Sequence, residues 1–195
     1  MTDTRDPRRS SWLKIDDTTE PKGGVATLWD ECQARLGYVR TFLKLPFEAD
    51  RLSLFQGYIN RLMRSDDCKL SGVERELVAL IVSLENRCPP CIITHAGALK
   101  AHGMPAETVD IILANWRHAP LSDRERALAD YASDLTVSPD QIEESDLDPL
   151  RDVGLTELEI LETAQIVAIF NATNRLNNGL GVAIDAPSHS GLRAG

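Results

Sequence analysis

Ser71/Glu74, Ser122/Glu125, Ser138/Gln141 and Thr156/Glu159 each place a Glu or Gln three residues after a Ser or Thr. In that spacing the hydroxyl and the carboxylate or amide satisfy each other's free backbone donors, which marks the first turn of a helix. The four signatures predict helices over about 71–85, 122–137, from 138, and 156–178. Pro89 and Pro90 suit the first turn of another helix, where amide donors have no internal partner. That helix ends at Gly103, and Pro105 opens the next. Upstream, apolar residues recur at helical spacing from Val25 through Leu43, stopped by Pro46, and again from Leu52 to Met63. No segment alternates apolar and polar residues over strand length. The expectation is an all-α fold of eight or nine helices.

The 195 residues suffice for one core without metal or disulfide staples. Residues 1–22 lack apolar periodicity and read as an extended or mobile arm, which Trp12 and Leu13 could pin to the body or to another subunit. Residues 23–185 form the single domain, and 186–195 read as a disordered tail. The net charge of −9 argues against nucleic acid as a partner. Thirteen Asp and Glu against three Arg lie between Asp123 and Glu162, which reads as the solvated face of surface helices. No apolar run approaches about 18 residues, and the N-terminus has charge without a following apolar stretch. A cytoplasmic protein without a membrane span is the expectation.

In a reducing compartment the four cysteines should be thiols. Cys32 and Cys68 read as small buried hydrophobes within helical patterns. Cys88 and Cys91 need another explanation. Cys88 takes the N-cap position, Cys91 falls one turn into the helix, and His95 projects from the same face a turn later. A thiol at a helix start faces unsatisfied amide donors, so its thiolate is favoured. His95 can serve Cys91 as general base, with a carboxylate behind it to orient the ring. Glu76, at the head of the almost wholly apolar run 77–84, either lies at the wet end of its helix or is held for a purpose. Zinc on Cys88, Cys91, His95 and either His102 or His118 is the competing reading, but the second short-spaced ligand pair of structural zinc sites is missing. Haem attachment requires His where Ile92 stands. No cofactor and no metal are therefore expected.

The stretch ERELVALIVSLENRCPPCIITHAGAL, with Glu76, eleven residues, Cys-x-x-Cys, three residues and His95, resembles the core motif of the AhpD-like alkylhydroperoxidase and carboxymuconolactone decarboxylase superfamily. Leu121–Ala132, Gly154–Ile160 and Ile169–Leu176 resemble its peroxidase-related branch. The resemblance spans about residues 40–185 and implies an AhpD-like helical bundle with the CxxC at the start of a buried helix. It also implies reduction of hydrogen peroxide or organic hydroperoxides, with Cys91 attacking and Cys88 resolving. His95 and Glu76 would form the proton relay, a dithiol or protein would supply electrons, and the chain would form a homo-oligomer. Helix-start electrostatics favours a Cys88 thiolate; both readings hold if Cys88 sits at an exposed tip and meets the reductant while Cys91 lies deeper beside His95. The motif departs from the family at Pro90 and Thr94. A decarboxylase-like lyase and a non-catalytic, redox-switched dithiol adaptor are the alternatives. Asn171, Asn174 and Arg175 on the last helix, opposite an apolar face that includes Leu158 and Leu161, either line the substrate pocket or, the favoured reading, make intersubunit hydrogen bonds.

Overall fold

A computed structural model describes residues 9–185. Among these, eight α-helices and no strands are found: α1 Gly24–Leu36, α2 Ala49–Arg64, α3 Gly72–Glu85, α4 Pro89–Ala101, α5 Ala106–Asn115, α6 Asp123–Val137, α7 Asp148–Asp152 and α8 Glu157–Leu180. The fold is the all-α bundle expected. Three capping boxes form as read, with Ser71, Ser122 and Thr156 each accepting from the amide of the Glu three residues on.

The fourth does not. Ser138 opens only a 3-10 turn, Pro139–Gln141, without a side-chain cap. Its own amide donates to Asp134 O, so it closes α6 instead of opening a helix. The pattern from Val25 to Leu43 also divides. Gly37, at φ 78°, takes the left-handed conformation that ends α1. The apolar residues beyond it continue as the 3-10 turn Thr41–Lys44.

Helix α3 is the axis of the molecule. Every residue from Leu77 to Ser83 is buried, because α4, α6 and α8 pack around it. Arg124 at the head of α6 bridges Glu74 of α3 (2.5 Å) and Glu159 of α8 (2.6 Å), so three helix starts meet at one end. Glu162 departs from the reading of its acidic stretch as solvated. It is buried and accepts from the amides of Lys69 and Leu70, capping the turn before α3. Leu158 and Leu161, expected on the apolar face of α8, are exposed. Cys32 is buried as expected, whereas Cys68 is only half-buried and sits in the turn after α2.

Residues 9–22 carry no helix and lie against the C-terminal segment. The Trp12 amide donates to Leu180 O (2.9 Å), the Ala183 amide to Ser10 O (2.8 Å), and the Thr18 amide to Lys44 O (2.8 Å). The Trp12 ring packs on Gly181, where any Cβ would overlap it. The first eight arm residues, the expected tail 186–195 and His189 lie outside the described residues.

Candidate active site

The turn between α3 and α4 decides where the two sulfurs go. Arg87 takes φ 50°, and the Cys88 amide reaches back to Ser83 O (3.0 Å), folding the chain under the end of α3. Cys88 then caps α4, with Pro89 and Pro90 in its first turn. Helix α8 stitches this turn down from the side. Asn178 donates to Asn86 O (2.9 Å), and Asn86 donates to Asn171 Oδ1 (3.0 Å). Asn171 also donates to Thr136 (3.1 Å), while Asn174 pairs with Ser83 (3.4 Å). Asn171 and Asn174, expected to line the pocket or to bond between subunits, make these hydrogen bonds within one chain. Arg175 likewise donates to Asn171.

The two sulfurs lie 2.7 Å apart, within reach of a bond with no backbone movement. They are not equivalent. The expected exposed tip at Cys88 is not found: its fold-back leaves that residue fully enclosed, whereas Cys91 lines a cavity of about 70 Å³ together with His95, Phe170 and Asn177. A molecule entering this cavity meets Cys91 first.

The Glu76 carboxylate lies 2.7 Å from His95 Nδ1. Burial raises the pKa of Glu76, but His95, Arg40 and Arg64 outweigh it and hold the carboxyl below its usual range. An ionised Glu76 fixes the proton on Nδ1 and leaves Nε2 as the lone-pair nitrogen, the tautomer needed of a base. Phe170 meets the imidazole edge-on with centroids 4.5 Å apart, holding the ring in place. All four residues read from the motif are thus brought together. His102 ends α4 and His118 ends a short turn, both exposed and neither at the dithiol. Among the described residues no group of three His, Cys, Asp or Glu is arranged to hold a metal ion.

Asn177 belongs to the site and was missed in the sequence. Its Nδ2 donates to Cys91 Sγ (3.1 Å), and its Oδ1 is buried without a partner. The thiols share one proton. The hydrogen bond with Cys91 holds Cys88 below the usual thiol range against the opposing effect of burial. That same bond, followed by burial, pushes Cys91 up. Of the two thiols, the enclosed Cys88 is therefore the one that gives up its proton more readily.

The sequence profile of the carboxymuconolactone decarboxylase family matches residues 50–134, which include Glu76, both site cysteines and His95. A peroxidase-related protein from Silicibacter sp. TM1040 is 28% identical with a TM-score of 0.88, covering 97% of this chain and 100% of that one. A second, described as an alkylhydroperoxidase AhpD core from Ralstonia eutropha JMP134, is 24% identical with a TM-score of 0.84, covering 92% and 94%. The debrominase Bmp8 shares the fold at 18% identity and a TM-score of 0.76, covering 94% and 98%. A search of curated proteins finds no match. Sequence profile, bundle and site geometry agree in their likeness to the AhpD-like/carboxymuconolactone decarboxylase superfamily.

Proposed function

We propose that this protein is a thiol peroxidase that reduces hydrogen peroxide or organic hydroperoxides through Cys91 and Cys88. The observation carrying this reading is that Cys91 faces a small cavity with His95 beside it and a second sulfur 2.7 Å behind it. A peroxide in that cavity meets Cys91 as His95 Nε2 takes up the thiol proton. The sulfur attacks the terminal peroxide oxygen, the O–O bond breaks, and the departing alkoxide takes the proton from His95 to leave as alcohol. Asn177 Nδ2 stabilises the anionic sulfur throughout. Cys88 then attacks the Cys91 sulfenic acid and releases hydroxide, which leaves as water once protonated. Two thiols and one hydroperoxide have become a disulfide, an alcohol and water.

Burial of Cys88 changes the reductive half of the cycle from the one read in the sequence. An external dithiol reaches Cys91 first, so the mixed disulfide forms there and Cys88 departs as thiolate. The lowered pKa of Cys88 suits it to leave. Exposed Leu158 and Leu161 on α8, with Leu54 and Tyr58 on α2, support association with further copies of the chain.

Stopped-flow oxidation of the reduced protein tests the reading. Cys91→Ser is expected to lose peroxide consumption almost wholly. Cys88→Ser should accumulate a sulfenate or mixed disulfide, and His95→Ala should need higher pH for the same thiol reactivity. Sustained turnover of Cys88→Ser with a dithiol reductant would show that Cys88 is not the resolving group.

A further inference from the structure

The protein carries a net charge of −9, yet one groove runs against that sign. A groove of about 630 Å³ between α1 and α2 is lined by Arg35, Arg40 and Arg64 against a single carboxylate, Glu31. Arg35 and Arg64 are exposed, and Arg40 lies deeper. Glu76 attracts all three, but its carboxylate is already engaged by His95. Asp185, on the far side of Arg40, accepts from the Thr41 amide (2.6 Å). Arg64 donates to Asn60, a neutral partner. Arg40 Nε is buried without a hydrogen-bond partner.

Surrounding protein takes part of the solvent from Arg64, whose tip stays exposed, and with Arg35 and Arg40 lowers its pKa to about 10; Arg35 is lowered the same way, first by partial desolvation and then by Arg40. Three guanidiniums gathered this way are relieved by a bound anion. Guanidinium forks match a carboxylate in shape as well as charge. Position supplies the rest. Arg40, Leu43 and Gln56 line both this groove and the cavity containing Cys91 and His95. An anion held in the groove is therefore next door to the reacting sulfur.

We infer that Arg35, Arg40 and Arg64 form the subsite for the carboxylate of the oxidising substrate, which makes that substrate a hydroperoxy acid. The hydroperoxide end enters the cavity of about 70 Å³ while the acid end stays in the larger groove. The inference rests on the peroxidase reading for its chemistry, which is the two-electron step already balanced at Cys91.

The test compares linoleic acid hydroperoxide with its methyl ester as oxidants of the reduced full-length protein, alongside hydrogen peroxide. The acid should react at least about tenfold faster than the ester, corresponding to one charge-assisted hydrogen bond of about 1.4 kcal/mol. Arg64→Gln and, separately, Arg35→Gln should bring the ratio towards one. If either variant fails to fold, salt supplies the readout, because the acid's advantage in the unaltered protein should shrink as ionic strength rises. Equal rates for acid and ester overturn the subsite and leave the peroxidase reading standing. If no hydroperoxide outpaces its reaction with free cysteine, the peroxidase reading is lost. Calorimetric binding of linoleate against methyl linoleate then decides the subsite alone: arginine-dependent preference for the acid sustains the carboxylate site, and equal binding rejects it.

Discussion

Asn177 shows what one residue in a distant helix contributes to a local motif. Cys88, Cys91 and His95 could be identified from sequence because they lie within two turns of one helix, whereas Glu76, on α3, was singled out by its place in the family motif. Local periodicity alone puts such groups on a common face. Asn177 comes 86 positions after Cys91, and only the crossing of α8 over α4 joins them. An asparagine near a helix end carries no signal of that kind. Replacing it with Ala should slow the reaction of Cys91 with peroxide by about ten- to a hundredfold, since a hydrogen bond to a charged group is worth about 1.5–3 kcal/mol. The comparison is made by stopped-flow against the unaltered protein. The dithiol has its own pH signature. In a Cys32→Ser/Cys68→Ser background, thiolate absorbance should show one ionisation per chain below the ordinary thiol value of about 8.5. The second should stay protonated well above it, because Cys88 is lowered and Cys91 raised. Two independent ionisations near the ordinary value would contradict the shared proton.

At the scale of helices, capping boxes located the starts of α3, α6 and α8, and the failure at Ser138 is instructive. Ser138 carries the same signature as Ser71, Ser122 and Thr156, but it follows α6 directly and its amide is taken by Asp134. A residue cannot both close one helix and extend freely into the next. Residues Asp140 to Leu147 also offer no apolar stripe to bury, so tertiary packing does not rescue a helix there. The three successful starts are tied together by Arg124. Burial raises the pKa values of Glu74 and Glu159, but the cap donors and Arg124 outweigh it and hold both below their usual range. Carboxyls lowered in the folded state contribute stability above the unfolded value of about 4.3, and that contribution fades as pH falls through the folded value. Arg124→Ala should cost about 1 kcal/mol or less at neutral pH, given the partial exposure of the pairs. Denaturant titration should find the gap between variant and parent closing below pH of about 4.

Over the whole molecule, the all-α class was readable because helix signals were dense and strand alternation absent, whereas the seating of the N-terminal arm was not. Residues 9–22 have no periodicity because they bind through backbone amides and one ring, which leave no pattern in side-chain chemistry. Surface properties are equally non-local. Leu158, Leu161, Leu54 and Tyr58 present apolar side chains that the single chain does not cover. Sedimentation equilibrium should accordingly give a mass above the 21.5 kDa of one chain, and Leu158→Glu/Leu161→Glu should lower it. The seating of the arm has a consequence for the chemistry. Val182, Ala183 and Asp185 roof the cavity over Cys91, and the roof is fastened by Ser10 to Ala183 and by Asp185 to Thr41. Trimming the chain near its beginning therefore unlatches the ceiling of the reaction chamber from a place that touches neither sulfur.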